Sequence, residues 1–380
     1  MENPFVYQGI ASDRAFCNRK IEIDTILQYA HTSHNLLIYS HRRYGKSSLI
    51  LRAFDVLKNQ NSDIRTMRVD LFGTLSERDF CITFYRALAQ LEGGMQKLIS
   101  YLKQGAKQLR LTLGIDALFT GGIPFTPTLE SSDTEIVFDD LMKIVAHYSE
   151  KHRLLIALDE FQEIASYSHG NFEKLLRSYT QTHNRISYIF SGSQQHLISQ
   201  MFSDKAKAFY QMADTLALPM IDIDDFIDWM HRLFYGEGLN LPEPFLRKIV
   251  LRYKNQPMLI QKFCHHLWIR LIDSSSVDND TLDGLADDIE SLMLERKELD
   301  YQSLWQTFSL NQKRAIKLLI FTAGKGVFSS KNLARAGIST SSIASRALQS
   351  LIIKDVVCKN NRYSLYDVLF EKWLKKRLIF

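Results

Sequence analysis

Residues 34–50 read HNLLIYSHRRYGKSSLI. The apolar run Leu36-Leu37-Ile38-Tyr39 predicts a strand. A polar loop follows and ends in Gly45-Lys46-Ser47, and helix-forming residues resume at Ser48-Leu49-Ile50. Strand, loop, Gly-Lys-Ser and helix, in that order, build a cradle for the phosphates of a nucleoside triphosphate. Backbone N–H groups at the helix N-terminus curl around the phosphates. Lys46 adds a point charge, and the Ser47 hydroxyl is placed to take Mg²⁺. The usual pattern has a glycine five residues before the Gly-Lys pair, and here that position is Ser40. A surface loop carrying Gly-Lys-Ser by chance would leave the next motif unexplained.

That motif is Leu154-Leu155-Ile156-Ala157-Leu158-Asp159-Glu160. So dense an apolar run reads as a parallel strand buried on both faces. Its two carboxylates fall at the C-terminal end, where open α/β sheets bind ligands. Downstream of a phosphate loop, Asp159 is the Mg²⁺ ligand and Glu160 the group that polarises the attacking water. The competing reading is a helix N-cap with acidic first-turn residues.

The chain has 380 residues, 46% hydrophobic and 23% charged, which suits a globular protein of two or three domains. Cys17, Cys81, Cys264 and Cys358 are far apart, without zinc spacing, so reduced thiols in a cytoplasmic protein are expected. No apolar run approaches the ~18–20 residues of a membrane span, and MENPFVYQGI does not read as a signal peptide. His265-His266 has no ligand-like neighbours in sequence. Net charge is +5 but uneven. Residues 301–380 carry 14 Lys and Arg against Asp355, Asp367 and Glu371, so the remainder is net acidic. A basic tail suggests an anionic partner, nucleic acid first.

Along the chain, strands are predicted at 36–39, 63–73, 153–158, 186–190 and 215–218, with helices between them. This is an α/β fold with a parallel three-layer sheet. It spans residues 1–219, with an insertion over 92–132 and a helix capped by Asp133. Residues 220–300 read as all helix (222–235, 243–253, 257–273, 278–298). The acidic residues Asp283, Asp287, Asp288 and Glu290 read as a solvated face. Residues 301–380 give three helices and a hairpin, a winged helix-turn-helix. Its third helix exposes Ser342, Ser345, Arg346 and Gln349, a thin set for reading bases. Arg346, Lys375 and Lys376 are candidates for contact with duplex DNA. The same charge suits a protein effector, or the chain's own acidic helix near Asp283–Glu290.

Several further stretches carry a resemblance: Asn3-Pro4-Phe5, Phe16-Cys17-Asn18-Arg19-Lys20, Ser40-His41-Arg42-Arg43-Tyr44-Gly45-Lys46-Ser47-Ser48-Leu49, Leu158-Asp159-Glu160-Phe161-Gln162, Gly192-Ser193, Asn255-Gln256-Pro257 and Tyr363 through Leu374. Together they resemble the prokaryotic AAA+-related P-loop ATPases close to the STAND and Orc/Cdc6 clades. The resemblance covers nearly the whole length. It implies an ASCE/AAA+-like core, a helical lid and a winged helix, with ATP and Mg²⁺ as cofactors. It assigns residues 40–48 to the phosphates, Ser47 and Asp159 to Mg²⁺, and Lys46, Asp159 and Glu160 to catalysis. Ser193, with Ser191 as the alternative, falls at the sensor position. Phe16, Arg19 and Pro257 fall against the base. His41 stands where Pro is common, and Asn255 where Gly is common. Phe209-Tyr210-Gln211-Met212 lacks the Gly-Arg that many members carry there, although Lys205 and Lys207 are near. A finger arginine is worth about 10³–10⁵ in rate, so slow or partner-stimulated turnover follows.

Three functions fit: an ATP-driven switch that reports to a partner or to DNA through the winged helix, an Orc/Cdc6-like DNA-remodelling ATPase, or a non-catalytic scaffold holding nucleotide. A homo-oligomer is compatible with each, and no membrane partner is expected.

Overall fold

The computed structural model describes residues 2–11, 14–40, 44–91, 134–167, 171–272, 279–359 and 361–378. They form two units, Gln8–Ile221 and a second made of Met1–Tyr7 together with Asp222–Phe380. The expected insertion over 92–132 and the cap at Asp133 lie outside the described residues, as do His41, Arg42 and Arg43.

In the first unit, α1 (Lys20–Thr32), β1 (Leu36–Tyr39), α2 (Lys46–Asn59), β2 (Arg65–Asp70), α3 (Glu77–Ala89), α4 (Thr134–Lys151), β3 (Leu154–Asp159), α5 (Phe172–Thr182), β4 (Ile186–Gly192), α6 (Gln195–Ser203) and β5 (Asp214–Ala217) follow in order. A 3₁₀ turn, Phe161–Ser166, follows β3. The sheet is five-stranded, in the order β2-β3-β4-β1-β5, and every pairing is parallel.

Side-chain period 2 makes the layers. Every residue of β3 is buried. Leu154, Ile156 and Leu158 join one core with α3, α4 and α5. Leu155 and Ala157 join the other, with Ile26 and Ala30 of α1 and Leu49, Ile50 and Ala53 of α2. Full burial of each such side chain contributes about 1.5–3 kcal/mol, so a one-residue slip of β3 would exchange both cores at once. The same parity fixes the polar residues. On β2, Met67 and Val69 enter the first core, which turns Arg68 and Asp70 to the α2 side. On β3, Asp159 shares the parity of Leu155 and Ala157. On β4, Ser191 shares that of Ile189.

In the second unit, α7 (Ile223–Gly236), α8 (Glu243–Arg252), α9 (Pro257–Leu271) and α10 (Asn279–Glu295) correspond to the four expected helices. The chain's first residues pack here rather than in the core where the sequence reading puts them. Phe5 is 1% exposed, and its ring lies 5.5 Å from Trp229 and 4.6 Å from Phe234. Asn3 Nδ2 donates to the His265 carbonyl, and Val6 N to Gln261 Oε1, each at 3.0 Å. His265 is thus part of this seam, and no group of three metal-ligating side chains occurs among the described residues.

The winged helix holds α12 (Leu310–Thr322), α13 (Ser330–Arg335), α14 (Ser341–Ile353), β6 (Val357–Lys359) and β7 (Tyr363–Leu365), with the two strands antiparallel. A capping box of Ser309 and Gln312 starts α12. Two helices are not predicted from the sequence, α11 (Glu298–Gln306) ahead of α12 and α15 (Val368–Arg377) beyond the hairpin. They pack together: Trp373 Nε1 donates to Glu298 at 2.7 Å, and Tyr301 Oη to Asp367 at 3.1 Å.

Candidate functional site

The end of β1 meets the start of α2 at Gly45, whose φ of +88° is left-handed. A Cβ there would meet nothing within 4 Å, so the glycine answers a conformational demand and not a steric one. Gly45 supplies no side-chain cap to α2. Lys46 is only 6% exposed. Its Nζ donates to the Ser40 carbonyl at 3.1 Å and lies 3.5 Å from Ser40 Oγ. Ser47 Oγ donates to Asp159 Oδ2 at 2.8 Å. The two motifs, more than a hundred residues apart, are therefore one site. Ser48 Oγ instead accepts from Ala11 N at 3.2 Å, and Tyr44 is buried.

Asp159 is 1% exposed. Ser191 Oγ donates to its Oδ1 at 2.6 Å. Arg68 donates to its Oδ2 from Nε at 3.2 Å and from Nη2 at 2.7 Å. Burial alone would push the carboxyl up; the hydrogen bonds from Ser191, Arg68 and Ser47 outweigh it and hold it below the ordinary carboxylate range. Arg68 also reaches the exposed Asp70 at 2.9 Å. The sequence reading did not single out Arg68. The available signal was a basic residue inside a short strand, on the parity opposite to Met67 and Val69.

Glu160 leaves β3 with φ +52°, a left-handed position that is strained for a non-glycine residue. Its Oε2 accepts from Gln162 Nε2 at 2.6 Å, from Ser193 Oγ at 2.7 Å and from Ser193 N at 3.2 Å. Ser193, expected at the sensor position, thus touches the general-base candidate directly, while Ser191 touches the metal-ligand candidate. Gly192 lies between them, and a Cβ there would collide with Gln162 Oε1 and Ile198 Cδ1. Substitution at Gly192 would therefore displace the side chain that holds Glu160.

The fold also fits. A family model described as "Probable winged helix domain" matches residues 299–376. No curated protein matches the chain in sequence. Among solved structures, a Walker-type ATPase of Pyrococcus abyssi superposes with a TM-score of 0.66 at 16% identity, covering 97% of this chain and 98% of that one. The ORC2 protein of Aeropyrum pernix, in ADPNP–ADP complexes, gives 0.57 at 13% identity over 94% and 93%. Its ADP form gives 0.53 at 12% identity over 96% and 97%. The fold is that of a Walker-type ATPase.

Within a Walker-type ATPase fold, ATP and Mg²⁺ suit the donors present: a buried lysine, a helix N-terminus without a side-chain cap, a hydroxyl and a depressed carboxylate. Arg19 adds a further sign. It is buried and pairs with Glu22 at 2.7 Å, yet its Nη2 has no partner among the described residues. Phe16 packs against the core that holds α1 and α2. Pro257 is the first residue of α9, where its fixed φ and missing N–H cost nothing. Asn255 has φ +54°; asparagine tolerates this geometry best after glycine, which explains the departure there.

The acidic face of α10 is an ion-pair strip and not merely a solvated surface. Lys248 pairs with Asp283, and Arg252 with Asp287 and Glu290. Lys372 of α15 also reaches Glu290, at 2.7 Å. Lys254 and Lys375 share Glu371, and Gln256 Nε2 donates to the Tyr366 carbonyl. Arg377 pairs with Glu298 at 2.6 Å. Of the residues expected to touch DNA, Lys375 is thus engaged within the unit, while Arg346 and Lys376 are exposed. No helix among the described residues is long and apolar enough to cross a membrane.

Proposed function

We propose that the chain binds and hydrolyses Mg-ATP and works as a nucleotide-dependent switch, with the winged helix as the end that meets a partner. The observation that carries this is the Ser47–Asp159 hydrogen bond, which joins the phosphate loop to the β3 carboxylates. Lys46 and the N–H groups of α2 would bind the phosphates, and Ser47 and Asp159 would hold Mg²⁺. Bound there, Mg²⁺ supplies charge neutralisation on the phosphoryl oxygens. Glu160, fixed by Gln162 and Ser193, is set to accept a proton from water. Arg68 keeps Asp159 ionised and oriented. Arg19 and Phe16 are proposed for the base.

The helical segment and the winged helix share Glu290 and Glu371 as anchors. A change at α9 would therefore reach the winged helix through Lys254, Gln256 and Tyr366. That supports a switch over an inert scaffold.

The test is turnover of ATP with Mg²⁺ and with chelator, beside Glu160→Gln. The variant is expected to keep ATP affinity and to lose about tenfold or more in rate. Wild-type protein that binds ATP but releases no phosphate with any added polynucleotide or protein fraction would leave only the scaffold reading.

A further inference from the structure

From Tyr301 to Lys354 the sequence contains no Asp or Glu, against eight Lys and Arg. Four of the eight line one concavity of about 640 Å³ between α12 and α13: Lys313, Arg314, Lys317 and Arg335, with Trp305 and Phe321 beside them. The spacing explains the convergence. Residues 310, 313, 314, 317 and 321 repeat at helical intervals along one stripe of α12, and Arg335 closes the far side from the end of α13. Lys313 Nζ lies 5.7 Å from the centre of the Trp305 ring, and the Arg335 guanidinium 4.5 Å from that of Phe321. None of the four has a carboxylate partner among the described residues. Lys372, Lys375 and Arg377 of α15, by contrast, are taken up by Glu290, Glu371 and Glu298. Three half-buried cations and an exposed arginine line one hollow, and a cleft lined by one sign of charge attracts an anion.

We propose that this concavity binds single-stranded nucleic acid, with phosphates on Lys313, Arg314, Lys317 and Arg335 and an unstacked base against Trp305. Aromatic faces interleaved with cations are what a strand needs, since each base has a π-face and each linkage a charge. An acidic peptide would use the cations but not the indole. A duplex hides its base faces, and α14 offers little to read its grooves. The proposal rests on the reading of the winged helix as the partner-contacting end, and it moves the contact from α14 to the α12–α13 side.

The experiment is fluorescence anisotropy of labelled oligothymidylate with the full chain, without nucleotide, so that a failed ATPase reading leaves it interpretable. Four phosphate contacts on a single strand predict a fall in affinity of about 50-fold between 50 and 200 mM salt. Lys313→Glu with Lys317→Glu should abolish most of that salt dependence and weaken binding at least about tenfold. Trp305→Leu should cost about tenfold, while Trp305→Phe, which keeps a stacking face, should retain binding. Calorimetric ATP affinity and the melting temperature, unchanged in each variant, show that the fold is intact. The proposal is overturned by duplex binding as tight as single-strand binding, by indifference to Trp305→Leu, by a loss that follows Arg346 and Lys376 instead, or by polyglutamate competing as well as oligothymidylate.

Discussion

On the α2 side of the sheet, Asp159 takes hydrogen bonds of 2.6 to 2.8 Å from Ser191, Arg68 and Ser47, and little of the charge there meets water. On the winged helix, Lys313, Arg314, Lys317 and Arg335 surround a hollow with no carboxylate among the described residues. The first arrangement is closed and preorganised; the second is open and waits for counter-charge. A third set, on α15, has as many lysines and arginines as the second, but Lys372, Lys375 and Arg377 are paired inside the unit with Glu290, Glu371 and Glu298. Formal charge read from a sequence therefore says little about charge that a partner can use.

The contrast can be broken most forcefully at Lys46. Its replacement by alanine removes the buried cation of the phosphate loop, and a charge-assisted contact of about 3 kcal/mol corresponds to ~100-fold in ATP affinity. Calorimetry with Mg²⁺ measures it; wild-type affinity in a folded variant would remove the phosphate-loop assignment. Next in size is Glu290→Ala, which strands Arg252 and Lys372 in a partly buried strip. A loss of about 2–3 kcal/mol in denaturant unfolding is expected, with earlier proteolysis between the helical segment and the winged helix. Unchanged stability would mean that the strip is ornamental.

Arg68→Gln sharpens the comparison by half-opening the closed site, at a cost of about 1–2 kcal/mol. It also has a pH signature. A depressed native carboxyl contributes stability that is fully present above its unfolded value of about 3.9 and is lost only as pH falls through the lower native value. Without Arg68 that native value rises, so acid unfolding should begin at higher pH. An acid limb superimposable on the wild type would show that Ser191 and Ser47 suffice. The smallest effect is predicted for Lys375→Ala, which breaks an exposed pair with Glu371. It should change stability by less than about 1 kcal/mol and leave oligonucleotide binding as it was.

Much of the fold is legible in the sequence because β3 is apolar at every position and Gly45-Lys46-Ser47 follows a strand. Those two segments report their own environment. Arg68 is less legible because its role depends on β2 lying next to β3, and strand order follows from packing that no local pattern prints. The seat of Phe5 depends on Trp229 and Phe234, contacts across most of the chain. The ion pairs of Lys372 and Arg377 depend on helices α11 and α15, whose short amphipathic stretches border stronger signals. Asn255 is legible only afterwards, as an asparagine where the backbone turns left-handed.

Phe5 leaves the ribosome long before the helices that enclose it. The Val6–Gln261 contact joins residues 255 positions apart, and at roughly 5–20 residues per second the first segment waits about 13–50 s for its seat. During that interval the sheet of the first unit can close on its own, while an apolar anchor stays available to whatever meets the nascent chain. Completion of the second unit thereby waits until Gln261 has been made, and a bulky extension placed before Asn3 would act on a helix encoded 255 positions downstream of Val6.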